Sequence, residues 1–290
     1  MLPSRSDSER PFSLAAAVAV TAAGILAMLS SGTWLALSSG LGLRAQIALG
    51  TLALALPATA VLVLRPGLWP AVRGDRAVAR RTAGLSLLLG AALWVASVGL
   101  MEVQSLVAPP PPAYLDAFRA IHRALAPDGP LDALVSILVI AVLPGVCEEL
   151  VLRGVLLPPL VRWLGELWSR GNDAVAAPGR LPPGALPAAA LSALLFAAIH
   201  LDAYRFLFTL TLGLVFGFLR LAKGSLWPPV IAHATLNGLT FAVAPFVDDP
   251  SQPYTPSPAL GATCLVAGVA VAWPLLRALA ARVDSPAARP

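Results

Sequence analysis

Charge is scarce in this chain. Of its 290 residues only 12% are charged, 58% are hydrophobic, and the mean hydropathy is +0.79. A water-soluble domain of this length has no interior large enough for that much apolar surface, so a soluble architecture is excluded and a polytopic membrane protein is indicated. Cysteine is scarce too. Cys147 and Cys264 both fall inside apolar runs, which excludes a disulfide framework. Lysine is nearly missing: Lys223 stands alone and every other basic residue is arginine, in an Ala- and Pro-rich background typical of a GC-rich bacterial source. The sequence pI near 10.0 would suit a nucleic-acid binder, but the basic residues are scattered through short loops, and nucleic acid is not expected as a partner. There is no internal repeat, no His-Glu-x-x-His, and no lipidation signal in Ala287–Pro290.

What is present is a series of apolar runs. Scanning for stretches of roughly 17–25 apolar residues predicts eight transmembrane helices: Ser13–Ser31, Ala45–Leu64, Ala83–Val107, Leu131–Leu157, Leu186–Leu201, Phe206–Leu221, Leu226–Phe246 and Leu260–Leu279. The fold class is therefore all-α, a polytopic membrane helix bundle of about eight transmembrane helices. Arg5 and Arg10 before the run Leu14–Leu29 resemble a signal peptide, but no small-x-small site follows, so the run reads as an uncleaved first span. After the proline tract Pro109–Pro112, Tyr114–Leu125 reads as an amphipathic helix at the interface, carrying His122. A Gly-, Pro- and Arg-rich loop separates the fourth and fifth spans.

The basic residues set the orientation. With the amino terminus inside, only Arg44, Arg119, Arg123 and Arg205 face outward and Arg153 lies within the membrane. The other fifteen, among them Arg5, Arg10, Arg76, Arg170, Arg180, Arg220, Lys223, Arg282 and Arg289, lie on the cytoplasmic side. The acidic pair Asp248–Asp249 falls outside. Both termini are expected in the cytoplasm, with the chain integral to a bacterial inner membrane.

Polar groups inside the spans need an explanation, because a charge at mid-membrane costs roughly 2.5–3.5 kcal/mol. Glu148-Glu149-x-x-x-Arg153 places two carboxylates about 100° apart on a helix. Glu149 and Arg153, at i and i+4, share a face and can pair, leaving Glu148 free. Pro144, one turn earlier, removes a backbone donor and predicts a kink there. Phe196-x-x-x-His200 ends the fifth span, and His233-x-x-x-Asn237 puts imidazole and amide side by side on the seventh. A lone Glu–Arg pair or buried His is commonly packing glue. An unpaired Glu, two His and an Asn together point to function. Gly213-x-x-x-Gly217, by contrast, is sufficiently explained by close helix packing.

This ordered set resembles the three signature motifs of the CPBP family, the CAAX-protease and bacteriocin-processing (Abi) intramembrane proteases. Gly224-Ser225-Leu226-Trp227-Pro228-Pro229-Val230-Ile231-Ala232-His233 also resembles the family's approach to its last histidine. The spacing is 52 residues from Glu148 to His200 and 33 more to His233. The resemblance divides the chain into N-terminal transmembrane and interfacial helices (1–130), a catalytic core (131–247) and a last span with its tail (248–290). It implies an intramembrane endopeptidase with Glu148, Glu149, His200, His233 and Asn237 as catalytic residues and Arg153 and Phe196 in support. Glu148 would activate water, and Asn237 with a histidine would donate to the oxyanion. His200 and His233 are the residues that would hold a zinc ion if the family chemistry uses one; metal-independent water activation is the favoured expectation. The implied partners are a protein or peptide substrate, such as a lipidated tail or a helical end that unwinds, together with membrane lipid.

One difficulty concerns depth. Glu148 and His233 lie about eight residues, or roughly 12 Å at 1.5 Å per residue, from the cytoplasmic face, whereas a full fifth span carries His200 to the outer face. A turn at Leu201–Arg205 sunk in the bundle and satisfied by Asp202 and Arg205 resolves it. The rival readings are a transporter or proton relay, disfavoured by the missing inverted repeat, and a non-catalytic immunity or interaction protein.

Overall fold

The computed structural model describes residues 12–38, 40–74, 78–169, 181–247 and 254–281. Arg5, Arg10, Arg76, Arg170, Arg180, Arg282, Arg289 and the Asp248–Asp249 pair lie outside the described residues, as does most of the loop between the fourth and fifth spans. Among the described residues there is no strand. The helices are α1 (Leu14–Ser38), α2 (Leu43–Leu64), α3 (Trp69–Arg73), α4 (Arg80–Val107), α5 (Pro112–Leu125), α6 (Pro130–Trp168), α7 (Ala185–Ala198), α8 (Phe206–Lys223), α9 (Trp227–Val247) and α10 (Pro258–Ala280).

Each expected span is a helix, and among the described residues α1, α2, α4, α6, α8 and α10 are long and apolar enough to cross a membrane by length and composition. Helix α7 has 14 residues, about 21 Å at 1.5 Å per residue, which is short of a hydrocarbon core of about 30 Å. Helix α9 has 21 residues and places His233, Thr235, Asn237 and Thr240 among its apolar positions.

Helix α6 is continuous over 39 residues and runs through Pro144. The proline is accommodated by a widened stretch with i→i+5 hydrogen bonding at Leu138–Val142, and a second at Leu150–Leu156 begins directly after the glutamate pair. Such π-type turns relieve the clash between a proline ring and the preceding carbonyl, and they recur at functional sites. Helix α3 was not foreseen. It follows a tight turn at Pro66–Leu68 and buries Leu68 and Val72 against α6.

Three buried apolar clusters hold the described part of the bundle, and a small one packs Leu157, Leu160 and Val161 of α6 on Ala185 and Ala188 of α7. Of the two larger ones, one joins α4, α6, α7, α8 and α9 through Leu89, Leu152, Phe196, Leu212, Phe216 and Leu236. The other joins α1, α2, α3, α6 and α9. Helices α6 and α9 meet at Gly145, where an added Cβ would lie 3.1 Å from the Ala234 nitrogen. That close approach brings the turn bearing Glu148 beside the turn bearing His233.

Candidate active site

Glu149 and Arg153 are both wholly buried, one turn apart on α6. Arg153 Nη1 donates to Glu149 Oε1 at 3.1 Å, the i,i+4 pair that the spacing predicts. Three further contacts stabilise the guanidinium. Nη2 donates to the Gly213 carbonyl on α8 at 3.0 Å, and the group lies over the rings of Phe196 (4.6 Å) and Phe216 (5.8 Å). Buried charges persist only when paired and hydrogen-bonded, with cation–π contact adding to the balance.

His233 reaches the same carboxylate from α9. Its Nδ1 lies 3.1 Å from Glu149 Oε1. A carboxylate held ionised by arginine can only accept, so Nδ1 carries the proton and donates. This leaves Nε2 on the opposite edge, 3.9 Å from Glu148 Oε2. That separation is beyond a direct hydrogen bond. Glu148 itself is 16% exposed at its side chain, yet its Oε2 atom is buried and has no partner among the described residues.

His200 sits just past the end of α7, half-buried. Its Nδ1 lies 2.7 Å from the Phe196 carbonyl, which also can only accept, so Nδ1 donates and the Nε2 lone pair is free. The Phe196 ring lies edge-on to both imidazoles, 4.9 Å from His200 and 5.7 Å from His233. His200 is within electrostatic reach of Glu148 and of His233. Asn237 follows His233 by one turn of α9 and is half-buried. It is not among the direct polar contacts that join Glu148, Glu149, Arg153 and His233.

The sequence reading anticipated a sunken turn after His200, and a turn follows it. Helix α7 stops at Ala198, Leu201 adopts a left-handed conformation (φ 51°), and Asp202 Oδ1 accepts the Arg205 backbone N–H at 3.0 Å. Arg205 lies over the Phe208 ring. The turn is tied to α4, where Gln104 Nε2 donates to the Tyr204 carbonyl at 2.7 Å and Ser105 bonds the Tyr204 hydroxyl. Beside it, Glu102 accepts from Tyr254 Oη at 2.9 Å and from the Ser257 N–H at 2.7 Å. Glu102 is a carboxylate within the third span that the sequence reading passed over. His122 on α5 bonds the Phe118 carbonyl and lies tilted against the Phe118 ring, apart from this cluster.

Helix α8 supplies residues that sequence reasoning missed. Phe216 stacks on His233, and Arg220 donates from Nε to the Arg153 carbonyl and from Nη2 to the carbonyls of Ala71 and Val72. Arg220, which the charge pattern assigns to the cytoplasmic side, is buried and bonds backbone of α3 and α6. The available signal was its place in the stripe Gly213, Phe216, Gly217, Arg220, at i, i+3, i+4 and i+7 of one helix face. Gly213 and Gly217 do pack on Ala189 and Ala193 of α7, as close packing requires. The bare Gly213 carbonyl also serves Arg153.

The metal question can be put to the donor set. Two free imidazole Nε2 atoms and a carboxylate are the right types for zinc. However, among the described residues no three His, Cys, Asp or Glu side chains converge closely enough to hold a metal ion.

Residues 130–239 match the family model described as type II CAAX prenyl endopeptidase Rce1-like. No curated protein and no solved structure matches the chain. The match takes in Glu148, Glu149, Arg153, Phe196, His200, His233 and Asn237. It supports an integral-membrane endopeptidase of the CAAX type that acts on a peptide or protein. Residues 130–239 thus resemble the Rce1-like CAAX prenyl endopeptidases.

Proposed function

We propose that this chain is an intramembrane endopeptidase in which Glu148 activates the hydrolytic water. The observation that carries the reading is the pair of atoms Glu148 Oε2 and His233 Nε2, 3.9 Å apart, with the carboxylate oxygen unpartnered. The separation is too long for a direct hydrogen bond, and the attacking water enters between the two atoms as the site opens for substrate.

The chemistry follows from the roles the residues are free to play. Glu148 takes a proton from the water as its oxygen bonds to the scissile carbonyl carbon. The π electrons of the carbonyl move onto its oxygen, where the Asn237 amide donates a hydrogen bond. Collapse of the tetrahedral intermediate re-forms the carbonyl and breaks the C–N bond, and the proton held by Glu148 passes to the leaving amine. Glu149 stays ionised against Arg153 and orients His233 by accepting a hydrogen bond from its Nδ1–H, the role a carboxylate plays behind a working imidazole. His200, fixed by the Phe196 carbonyl, presents its Nε2 as a second acceptor. Glu149 is thus a positioning residue in this account.

The substrate is a peptide bond near the membrane end of a protein, on a lipidated tail or a carboxyl-terminal signal able to unwind into the bundle. Catalytic residues from α6, the turn after α7, and α9 belong to one core, residues 131–247. The excess of arginine on one side supports cytoplasmic termini in a bacterial inner membrane.

The test uses purified protein in proteoliposomes, an internally quenched farnesylated CAAX-type peptide, and mass spectrometry of the products. The expected result is one internal cleavage, insensitive to 1,10-phenanthroline and lost in Glu148→Gln. Chelator-reversible activity, or cleavage by Glu148→Gln at the wild-type rate, would refute the mechanism.

A further inference from the structure

Phe216 is wholly buried on α8, a helix that supplies no acid, base or donor to the proposed chemistry. Its ring centroid lies 5.0 Å from that of His233 with 19° between the planes, a stacked pair. The Arg153 guanidinium lies 5.8 Å from the same centroid, and Phe196 meets the ring edge-on at 6.4 Å. Phe216 therefore touches the imidazole, and through Arg153 it touches the group that holds Glu149.

The ring itself is fixed. One turn before it, the Gly213 carbonyl accepts from Arg153 Nη2; one turn after it, Arg220 Nε donates to the Arg153 carbonyl at 3.1 Å and Nη2 reaches α3. These bonds on either side of Phe216 set the rotation of α8 against α6. Gly213 adds a steric limit, since a Cβ there would lie 2.9 Å from Ala193 Cα. The phenyl face is thus presented to His233 by a helix whose rotation against α6 is set by these contacts.

An imidazole has two soft torsions. Glu149 decides which edge of the ring faces it, but one hydrogen bond leaves the plane free to tilt about the bond it makes. A flat ring stacked on the face removes that tilt. We infer that Phe216 is a positioning residue that fixes the plane of the His233 imidazole, so that Nδ1 on Glu149 and Nε2 towards Glu148 are held at once. This inference rests on the proposed role of Glu148 and His233 as the pair around the reacting water. Misplacement of such a group by an ångström costs on the order of 10–100-fold in rate.

The chain has three histidines, so histidine-selective ¹⁵N NMR of the full-length protein in nanodiscs is tractable, with His233 assigned from a His233→Gln sample. In the wild type, His233 should give one Nδ1-protonated state. Phe216→Leu keeps apolar bulk and removes the flat face; His233 should then broaden or split, and turnover of the farnesylated peptide should fall about 10–100-fold at unchanged KM. Placing 4-fluorophenylalanine at 216 keeps a ring and should restore both spectrum and rate. If Phe216→Leu does not fold, Phe216→Met replaces it. A wild-type His233 spectrum in the leucine or methionine variant would overturn the inference, and so would a loss that tracks folded protein or appears in KM alone. Should Glu148→Gln cleave normally, the proposed function fails, while the spectra still decide whether Phe216 holds the ring.

Discussion

Replacing Arg153 by methionine removes the charge on which the site is assembled. Arg153 and Glu149 have no exposed surface, and the guanidinium makes two hydrogen bonds and two ring contacts. Its loss strands a buried carboxylate whose Oε2 already lacks a partner. Breaking one side of a buried pair costs about 3–5 kcal/mol, whereas replacing both sides by apolar groups of similar volume is often neutral. Arg153→Met should therefore destabilise by about 3–5 kcal/mol, and Glu149→Leu with Arg153→Met should recover most of it. Activity should not follow stability. In the double variant His233 Nδ1 has no acceptor, and in the single variant His233 becomes the counter-ion of Glu149 and loses its basic Nε2. Unfolding by SDS in mixed micelles, followed by tryptophan fluorescence, gives the stabilities, and cleavage of the quenched peptide gives the rates. An Arg153→Met protein within about 1 kcal/mol of wild type, well short of the cost of breaking a buried pair, or a double variant with wild-type turnover, would refute this account of the pair.

Two further outcomes follow from the turn and from the cluster that ties it. Leu201 holds φ at 51°, a conformation that costs a residue with a Cβ roughly 1–2 kcal/mol, and its side chain is 77% exposed. Leu201→Gly should raise the unfolding midpoint and leave cleavage intact; a lower midpoint would show that the strain is not there. Tyr254 has its pKa pushed up to about 12, first by burial, with its hydrogen bond to Glu102 adding to the effect. Because the folded state holds this proton more tightly than the unfolded chain, stability should be full below pH 10 and fall as pH rises from about 10 to 12. Tyr254→Phe should flatten that slope in a melting series against pH, and an unchanged slope would assign it elsewhere.

The parts of the site that were legible in the sequence are local. The Glu149–Arg153 pair follows from helix periodicity alone, and the freedom of Glu148 follows from the 100° step between neighbours. The turn after His200 was foreseen because a full span would have put that histidine at the wrong depth, and Asp202 is a residue type that caps such a turn. What was missed depends on which face of a helix meets which partner. Helix α8 is apolar around most of its circumference, so no polar stripe announced that Phe216 and Arg220 point at α6. Arg220 looked like one more cytoplasmic arginine because it lies near a helix end; only the fold shows it spending its donors on the carbonyls of Arg153, Ala71 and Val72. Helix α3 was hidden because Pro66 precedes it, Pro70 is its own second residue, and five residues give no period to read. Glu102 escaped because it stands singly in its span, with its partners Tyr254 and Ser257 about 150 residues away.

The central claim is that one carboxylate, Glu148, takes the proton of the attacking water, and its most direct measurement is the turnover of Glu148→Gln beside wild type in matched proteoliposomes, each corrected for folded protein. The amide keeps the shape of the side chain and cannot accept that proton, so the rate should fall by at least about 10²–10⁴-fold, the usual contribution of a general base, with the unfolding midpoint unchanged. A Glu148→Gln protein that cleaves within a few-fold of wild type would contradict the account, since among the described residues Glu148 is the carboxylate beside His233 Nε2.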